Sequence, residues 1–157
     1  MIIEVLDNGR LYNGWGFHLE WRTMRREVRL WIEAAHEDLV DASDAIQRGR
    51  WFRTAFFSQQ AVEKALKAMF FVVRREEPPH ICTVTELYRL LKEVGFTLPQ
   101  ELEEQLYILN KYYTITRYPD AANGLPSEAV DRVEAERAYN LACSVVKAVE
   151  EYAWKHS

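Results

Sequence analysis

Cysteine and glycine are scarce in this 157-residue chain, which contains two cysteines and six glycines. Cys82 and Cys143 lack the spacing of metal ligands, so we expect two reduced thiols rather than a disulfide or a metal site. The glycines form no phosphate-binding loop, and the nucleophile-elbow and zinc-protease motifs are also absent. The sequence therefore predicts no cofactor and contains none of these common catalytic motifs.

Long hydrophobic runs are missing as well. No stretch approaches the roughly 18 to 20 consecutive apolar residues that cross a membrane. The first residues lack the basic segment of a secretory signal. These features predict a cytoplasmic protein that does not enter a membrane. The length suits one domain with a single hydrophobic core.

Apolar residues make up 48% of the chain and recur with the period of an α-helix. Two segments show this most clearly, at about residues 20–48 and 50–75, and each predicts a long helix with one face in a bundle core. The predicted core stripe of the first is Val28, Ile32, Ala35, Leu39, Ala42 and Ile46. The predicted core stripe of the second is Phe52, Ala55, Gln59, Val62, Leu66, Met69 and Val73.

Turn and capping residues mark the ends of the helices. Gly49 leaves room for only a tight turn, which makes the first two helices antiparallel neighbours. Thr83 and Glu86 have the spacing of a capping box and predict a short third helix over 84–94. A fourth helix is expected from Thr97 to the β-branched run at 114–116. Ser127 is expected to cap a last helix.

Together these signals predict an all-α fold, an up-and-down bundle of four long helices and one short helix. The bundle is expected to occupy residues 19–157. Residues 1–18 contain several glycines between short β-prone runs, and they predict a short arm or hairpin.

Basic residues are concentrated in the second helix, although the whole chain has a net charge of −4. Residues 48–75 contain seven basic residues and one acidic residue, a local balance of +6. The basic side chains share a second stripe with aromatic ones: Arg50, Arg53, Phe57, Gln60, Lys64, Lys67, Phe71 and Arg74. This helix is the first place to look for function, because local patches rather than net charge decide anion binding.

Two stretches together resemble the HEPN superfamily of small helical-bundle proteins. The first is Gln-Gln-Ala-Val-Glu-Lys-Ala-Leu-Lys over residues 59–67, and the second is Arg-Tyr-Pro-Asp over residues 117–120. The resemblance covers about residues 25–153. It implies a bundle that commonly forms dimers, with functions ranging from ribonuclease toxins to nucleotide-binding partners of small nucleotidyltransferases.

The sequence departs from the ribonuclease members at one motif. Those members resemble one another in an Arg that is followed, after four to six residues, by a His. Counting from Arg117, the corresponding residues are Ala122, Asn123 and Gly124, none of which transfers protons near neutral pH as imidazole does. We therefore expect a protein that does not cleave RNA.

The expected function is binding of a nucleotide or RNA phosphate group. The expected ligand-binding residues are Arg117, Lys64, Lys67, Gln60, Tyr118 and Asp120. Arg117 and the two lysines would converge on one phosphate. The alternatives are a ribonuclease in which Arg117 acts with Asn123 or with a residue from elsewhere in the chain, and an interaction module without a ligand. In the latter, Glu63 and Lys67 would be only a helical ion pair.

A homodimer is expected, with a possible nucleotidyltransferase-type partner. The reason is an amount of large apolar surface that one bundle does not readily hide. It is contributed by Trp15, Trp21, Trp31, Trp51, Trp154, Phe56, Phe57, Phe70 and Phe71.

Overall fold

The computed structural model describes residues 4–6, 10–12 and 24–156. Three long helices form the bundle: α1 (Arg26–Gln47), α2 (Trp51–Val73) and α7 (Arg132–His156). Helix α2 packs extensively against both α1 and α7, which also contact each other. The all-α prediction is confirmed.

Short helices complete the bundle. These are α3 (Val84–Glu93), α4 (Gln100–Gln105), α5 (Tyr112–Ile115) and α6 (Pro119–Ala122), with 3₁₀ segments at Leu106–Leu109 and Pro126–Glu128. Helices α3 and α5 both pack against α2. In the described part of the chain, no helix is both long and apolar enough to cross a membrane.

The predicted arm contains a hairpin of two short strands, β1 (Glu4–Leu6) and β2 (Arg10–Tyr12). The strands are antiparallel, with Val5 opposite Leu11. The rest of the predicted arm, Trp15, Trp21 and the predicted helix start at about residue 20 lie outside the described residues. Helix α1 itself begins at Arg26.

The core stripes predicted for the first two helices are confirmed. All of the α1 stripe is buried except Ile46, and all of the α2 stripe is buried except Val73; these two side chains are half-buried. The turn between the helices is tight because Gly49 adopts a φ of 68°, which glycine tolerates without strain. Phe70 is also buried, whereas Phe56, Phe57 and Phe71 are half-buried.

The predicted fourth helix is not continuous. After α4 the chain tightens into the 3₁₀ segment at Leu106–Leu109 and resumes helical geometry only at α5. Leu106, Leu109 and Tyr112 are all buried, so core packing rather than helix length sets the course of this segment. Tertiary packing here overrides the helical period.

Two capping predictions are wrong. Thr83 is the N-cap of α3 but its side chain makes no capping hydrogen bond, and Glu86 binds Arg89 instead. Ser127 lies in a 3₁₀ segment, and Asp131 takes the capping role for α7 by accepting a 2.8 Å hydrogen bond from the backbone N–H of Glu134. A carboxylate at this position also suits the helix dipole.

Candidate functional site

Arg117 occupies the turn between α5 and α6, and the sequence sets this position locally. The turn follows the buried Thr116, whose hydroxyl donates to the carbonyl of Tyr112. Tyr118 is extended because it precedes Pro119, which begins α6. The chain therefore turns at Arg117 and leaves this residue exposed.

Three aromatic rings surround the Arg117 guanidinium. Its central carbon lies 4.8 Å from the ring centroid of Tyr113, 5.2 Å from that of Tyr118 and 5.9 Å from that of Phe56. These are cation–π distances. Phe56 belongs to α2, so the contact joins the Arg117 turn to the helix that contains the other predicted site residues.

No carboxylate in the described residues lies within ion-pair distance of Arg117. Asp120, in the first turn of α6, is exposed and makes no ion pair with it. A hydrogen bond with Tyr113 raises the pKa of Arg117 above its already high value. The guanidinium is therefore always charged, and its donors can meet a phosphate or carboxylate from outside.

Lys64 and Lys67 are each held by a carboxylate. Lys64 Nζ lies 2.6 Å from Asp38 Oδ2 of α1, and Lys67 Nζ lies 2.9 Å from Glu63 Oε1. Burial raises the pKa of Asp38, although Lys64 acts in the opposite direction. The two lysines are therefore paired within the protein and do not converge with Arg117 as predicted.

The two lysines also lie farther along α2 than Phe56, the α2 residue that Arg117 contacts. Lys64 leans toward α1, and Lys67 lies 6.0 Å from the ring of Trp31, also in α1. At 1.5 Å per residue, Lys67 is about 16 Å beyond Phe56 along the helix axis. Both lysines therefore contact α1, whereas Arg117 contacts α2 through Phe56.

Gln60 belongs to a buried polar network. Its amide donates to Gln59 Oε1 at 2.6 Å and to Glu63 Oε2 at 3.1 Å. Gln59, fully buried, donates to Glu63 and also to the backbone carbonyl of Cys82 at 2.9 Å. The network fixes the segment before α3 against α2, which makes a structural role for Gln59 and Glu63 clear.

Sequence reasoning missed two residues that contact Arg117. Tyr113 precedes it by four residues, a spacing that brings side chains together on a helix, so this signal was available. Phe56 is distant in sequence, and no local pattern links it to residue 117. Both rings position the guanidinium.

The three residues after Arg117 at which a ribonuclease would place its His lie in and just after α6. Asn123 adopts a left-handed conformation with a φ of 54° at the C-terminus of α6, and it is exposed. Within the described residues, no three His, Cys, Asp or Glu side chains are grouped as metal ligands would be.

The structure is a helical bundle with an exposed arginine in the turn between α5 and α6. The family model of the HEPN domain matches residues 28–152. The chain therefore belongs to the HEPN domain family.

Two solved structures are similar over most of the chain. TT1696 from Thermus thermophilus is 34% identical, with a TM-score of 0.72 over 81% of this chain and 98% of that one. ST0689, an archaeal HEPN homologue, is 28% identical, with a TM-score of 0.66 over 83% of this chain and 99% of that one. No curated protein shows significant sequence similarity to the chain.

Proposed function

We propose that this HEPN protein binds a nucleotide or an RNA phosphate group without cleaving it. The proposal rests on the Arg117 guanidinium. It is exposed, it contacts three aromatic rings, and it has no carboxylate partner among the described residues. An arginine serves as a bidentate phosphate ligand when its donors are free and its plane is held in place.

The remaining site residues differ in how directly they would contact the ligand. Tyr118 is exposed beside Arg117 and supplies a ring and a hydroxyl to the ligand. Gln60 holds the surface of α2 in place, and Lys64 and Lys67, each neutralised by a carboxylate, add little net charge to the site. Asp120 is available to bind a ribose hydroxyl.

Thermal unfolding tests this proposal with inorganic phosphate, AMP and a short RNA as separate probes. A ligand present at 100 times its dissociation constant adds about 2.7 kcal/mol of stability. For a chain of this size, that corresponds to a rise in Tm of about 5 to 11 °C. Arg117→Ala should abolish the rise, whereas Arg89→Ala, which removes an exposed arginine from α3, should preserve it. Equal shifts in both variants would refute the Arg117 site.

The ribonuclease alternative is tested by incubating the protein with single-stranded RNA in a chelator. The absence of a general acid–base group after Arg117 predicts intact RNA, because such a group typically contributes about 10² to 10⁴-fold to rate. Cleavage that disappears in both Arg117→Ala and Asn123→Ala would establish the ribonuclease in place of this proposal.

The proposal also includes a homodimer and a nucleotidyltransferase-type partner. Trp31, Trp51 and Phe57 pack against the core, so they no longer support the dimer. The support comes instead from exposed apolar side chains that follow the Arg117 turn in the chain, since Leu125 is 59% exposed and Val133 is 73% exposed. Burial of such side chains is a common basis of symmetric dimers. Co-purification with the product of a neighbouring nucleotidyltransferase gene would test the second partner.

A further inference from the structure

Two more exposed arginines lie on the same side of α2 as Phe57. The guanidinium carbons of Arg50 and Arg53 are each 4.8 Å from the ring centroid of Phe52, which is buried. Among the described residues, neither arginine has a carboxylate within ion-pair distance. The buried ring fixes the stems of both side chains and leaves their donors facing outward.

Two half-buried rings connect these arginines to Arg117. Phe56 and Phe57 have ring centroids 5.5 Å apart, and Arg53 lies one helical turn before Phe57. Phe57 packs against the hydrophobic core, but Phe56 is not part of the described core and instead contacts Arg117 and Phe57. Its exposed fraction is therefore a ring surface beside the Arg117 cation.

We infer that this arginine–phenylalanine face, formed by Arg50, Arg53, Phe56, Phe57 and Arg117, binds a single-stranded polynucleotide. A base stacks on Phe56, and successive phosphates meet the arginines on either side of it. The inference rests on the proposed function and extends it from a single phosphate to a chain of nucleotides.

The dimensions and chemistry of the face favour a strand over a mononucleotide. Arg50 and Phe56 are six residues apart in α2, about 9 Å along the axis. This distance matches two to three stacked nucleotides at about 3.4 Å each. Interleaved aromatic rings and cations are the common arrangement in proteins that bind single strands, because every base has a face for stacking and every nucleotide has a charge.

Two acidic residues limit the course of the strand. Asp41 and Asp44 of α1 line the same cleft as Arg50, Arg53 and Phe57. Their carboxylates repel a polyanion, so the strand follows the α2 side of the cleft toward Arg117. A protein partner that bridged both walls would need these two aspartates, whereas a nucleic acid binds better without them.

The test measures binding of fluorescent ten-nucleotide RNA and DNA strands to the full chain, with AMP as the mononucleotide probe. The ten-mers should bind more tightly than AMP. Arg50→Ser with Arg53→Ser should make the negative slope of log affinity against log salt shallower by about 1.4, since each lost phosphate contact on a single strand contributes about 0.7. The charge-matched control is Arg89→Ser with Lys155→Ser, which removes two exposed cations from α3 and α7 and should leave the slope unchanged.

Phe56→Leu keeps an apolar side chain but removes the stacking surface, and it should weaken binding of the ten-mers about fivefold or more. Tyr107→Leu, at an exposed ring in the 3₁₀ segment, is its control and should bind normally. Asp41→Asn with Asp44→Asn should tighten binding of the strands. Circular dichroism of each variant verifies folding before its affinity is compared.

The outcomes separate the two proposals. If AMP binds through Arg117 but the ten-mers bind no more tightly, or if the Arg50 and Arg53 variant behaves as its control, the inference is wrong and the proposed function stands. If no probe binds, both are wrong. Weaker binding after Asp41→Asn with Asp44→Asn would also overturn the inference, because it would show that the aspartates contribute contacts.

Discussion

The ion pair of Glu63 and Lys67 is largely buried, and its loss should change the stability of the fold measurably. The side chains are only 10% and 11% exposed, and their charged atoms are 2.9 Å apart. Coulomb's law gives an attraction of about 6 kcal/mol at an effective dielectric constant of about 20, and desolvation of both ions offsets much of it. Removing one partner leaves the other charge buried and unpaired. A single substitution should therefore destabilise the protein by more than the net stabilisation that the intact pair provides.

Glu63→Gln should lower the free energy of unfolding by about 3 kcal/mol, because Lys67 then has no counter-charge and the amides of Gln59 and Gln60 lose a charged acceptor. The corresponding fall in Tm is about 6 to 12 °C. Lys67→Met should be milder, at about 1 to 2 kcal/mol, since Glu63 keeps both amide donors. The double variant should be less destabilised than the sum of the two singles, with a coupling of about 1 to 2 kcal/mol.

Urea unfolding of the four proteins measures this cycle, with Glu86→Gln as the matched control. Glu86 pairs with Arg89 on the exposed face of α3, and its loss should leave the urea midpoint nearly unchanged. The reasoning is refuted if the Glu63 and Lys67 effects are additive, or if Glu63→Gln is as mild as Glu86→Gln.

Three further predictions follow from single features of the structure. Asp131→Ala should lower the free energy of unfolding by about 1 kcal/mol through loss of the α7 cap, as measured by urea unfolding, with Asp131→Asn as a variant that keeps it. Burial raises the pKa of Asp38, so ionisation of this carboxyl opposes folding. The stability of the wild type relative to Asp38→Asn should therefore rise as the pH falls through that raised pKa toward 3.8. Unchanged relative stability over this range would contradict the prediction. Light scattering at micromolar concentration should show a dimer that Val133→Asp dissociates, and a wild-type monomer would reject this interface.

Local patterns in the sequence were sufficient for much of the bundle. The apolar stripes of α1 and α2 were predictable because the helical period alone decides which residues share a face. Gly49 marked the turn between them because few other residues adopt its backbone conformation readily. Arg117 could be predicted as a site residue because the Arg-Tyr-Pro-Asp motif lies within four consecutive residues.

The contacts between distant residues were decided only by the tertiary structure. Lys64 was predicted to face a ligand, but the packing of α1 on α2 places Asp38 beside it, 26 residues earlier in the chain. The helical period placed Gln59 in the core, but it could not predict the hydrogen bond that Gln59 donates to the backbone carbonyl of Cys82. The fourth helix was interrupted because burial of its apolar residues prevailed over its period.

The candidate site divides in the same way. The sequence by itself determined that an arginine stands in a turn and that aromatic and basic residues alternate along α2, because these are properties of neighbouring residues. Only the packing of α5 against α2 brought Arg117 to Phe56, and so joined the two patterns into one surface. Contacts of this kind depend on how helices dock, and docking is set by the summed shape of many side chains rather than by any short motif.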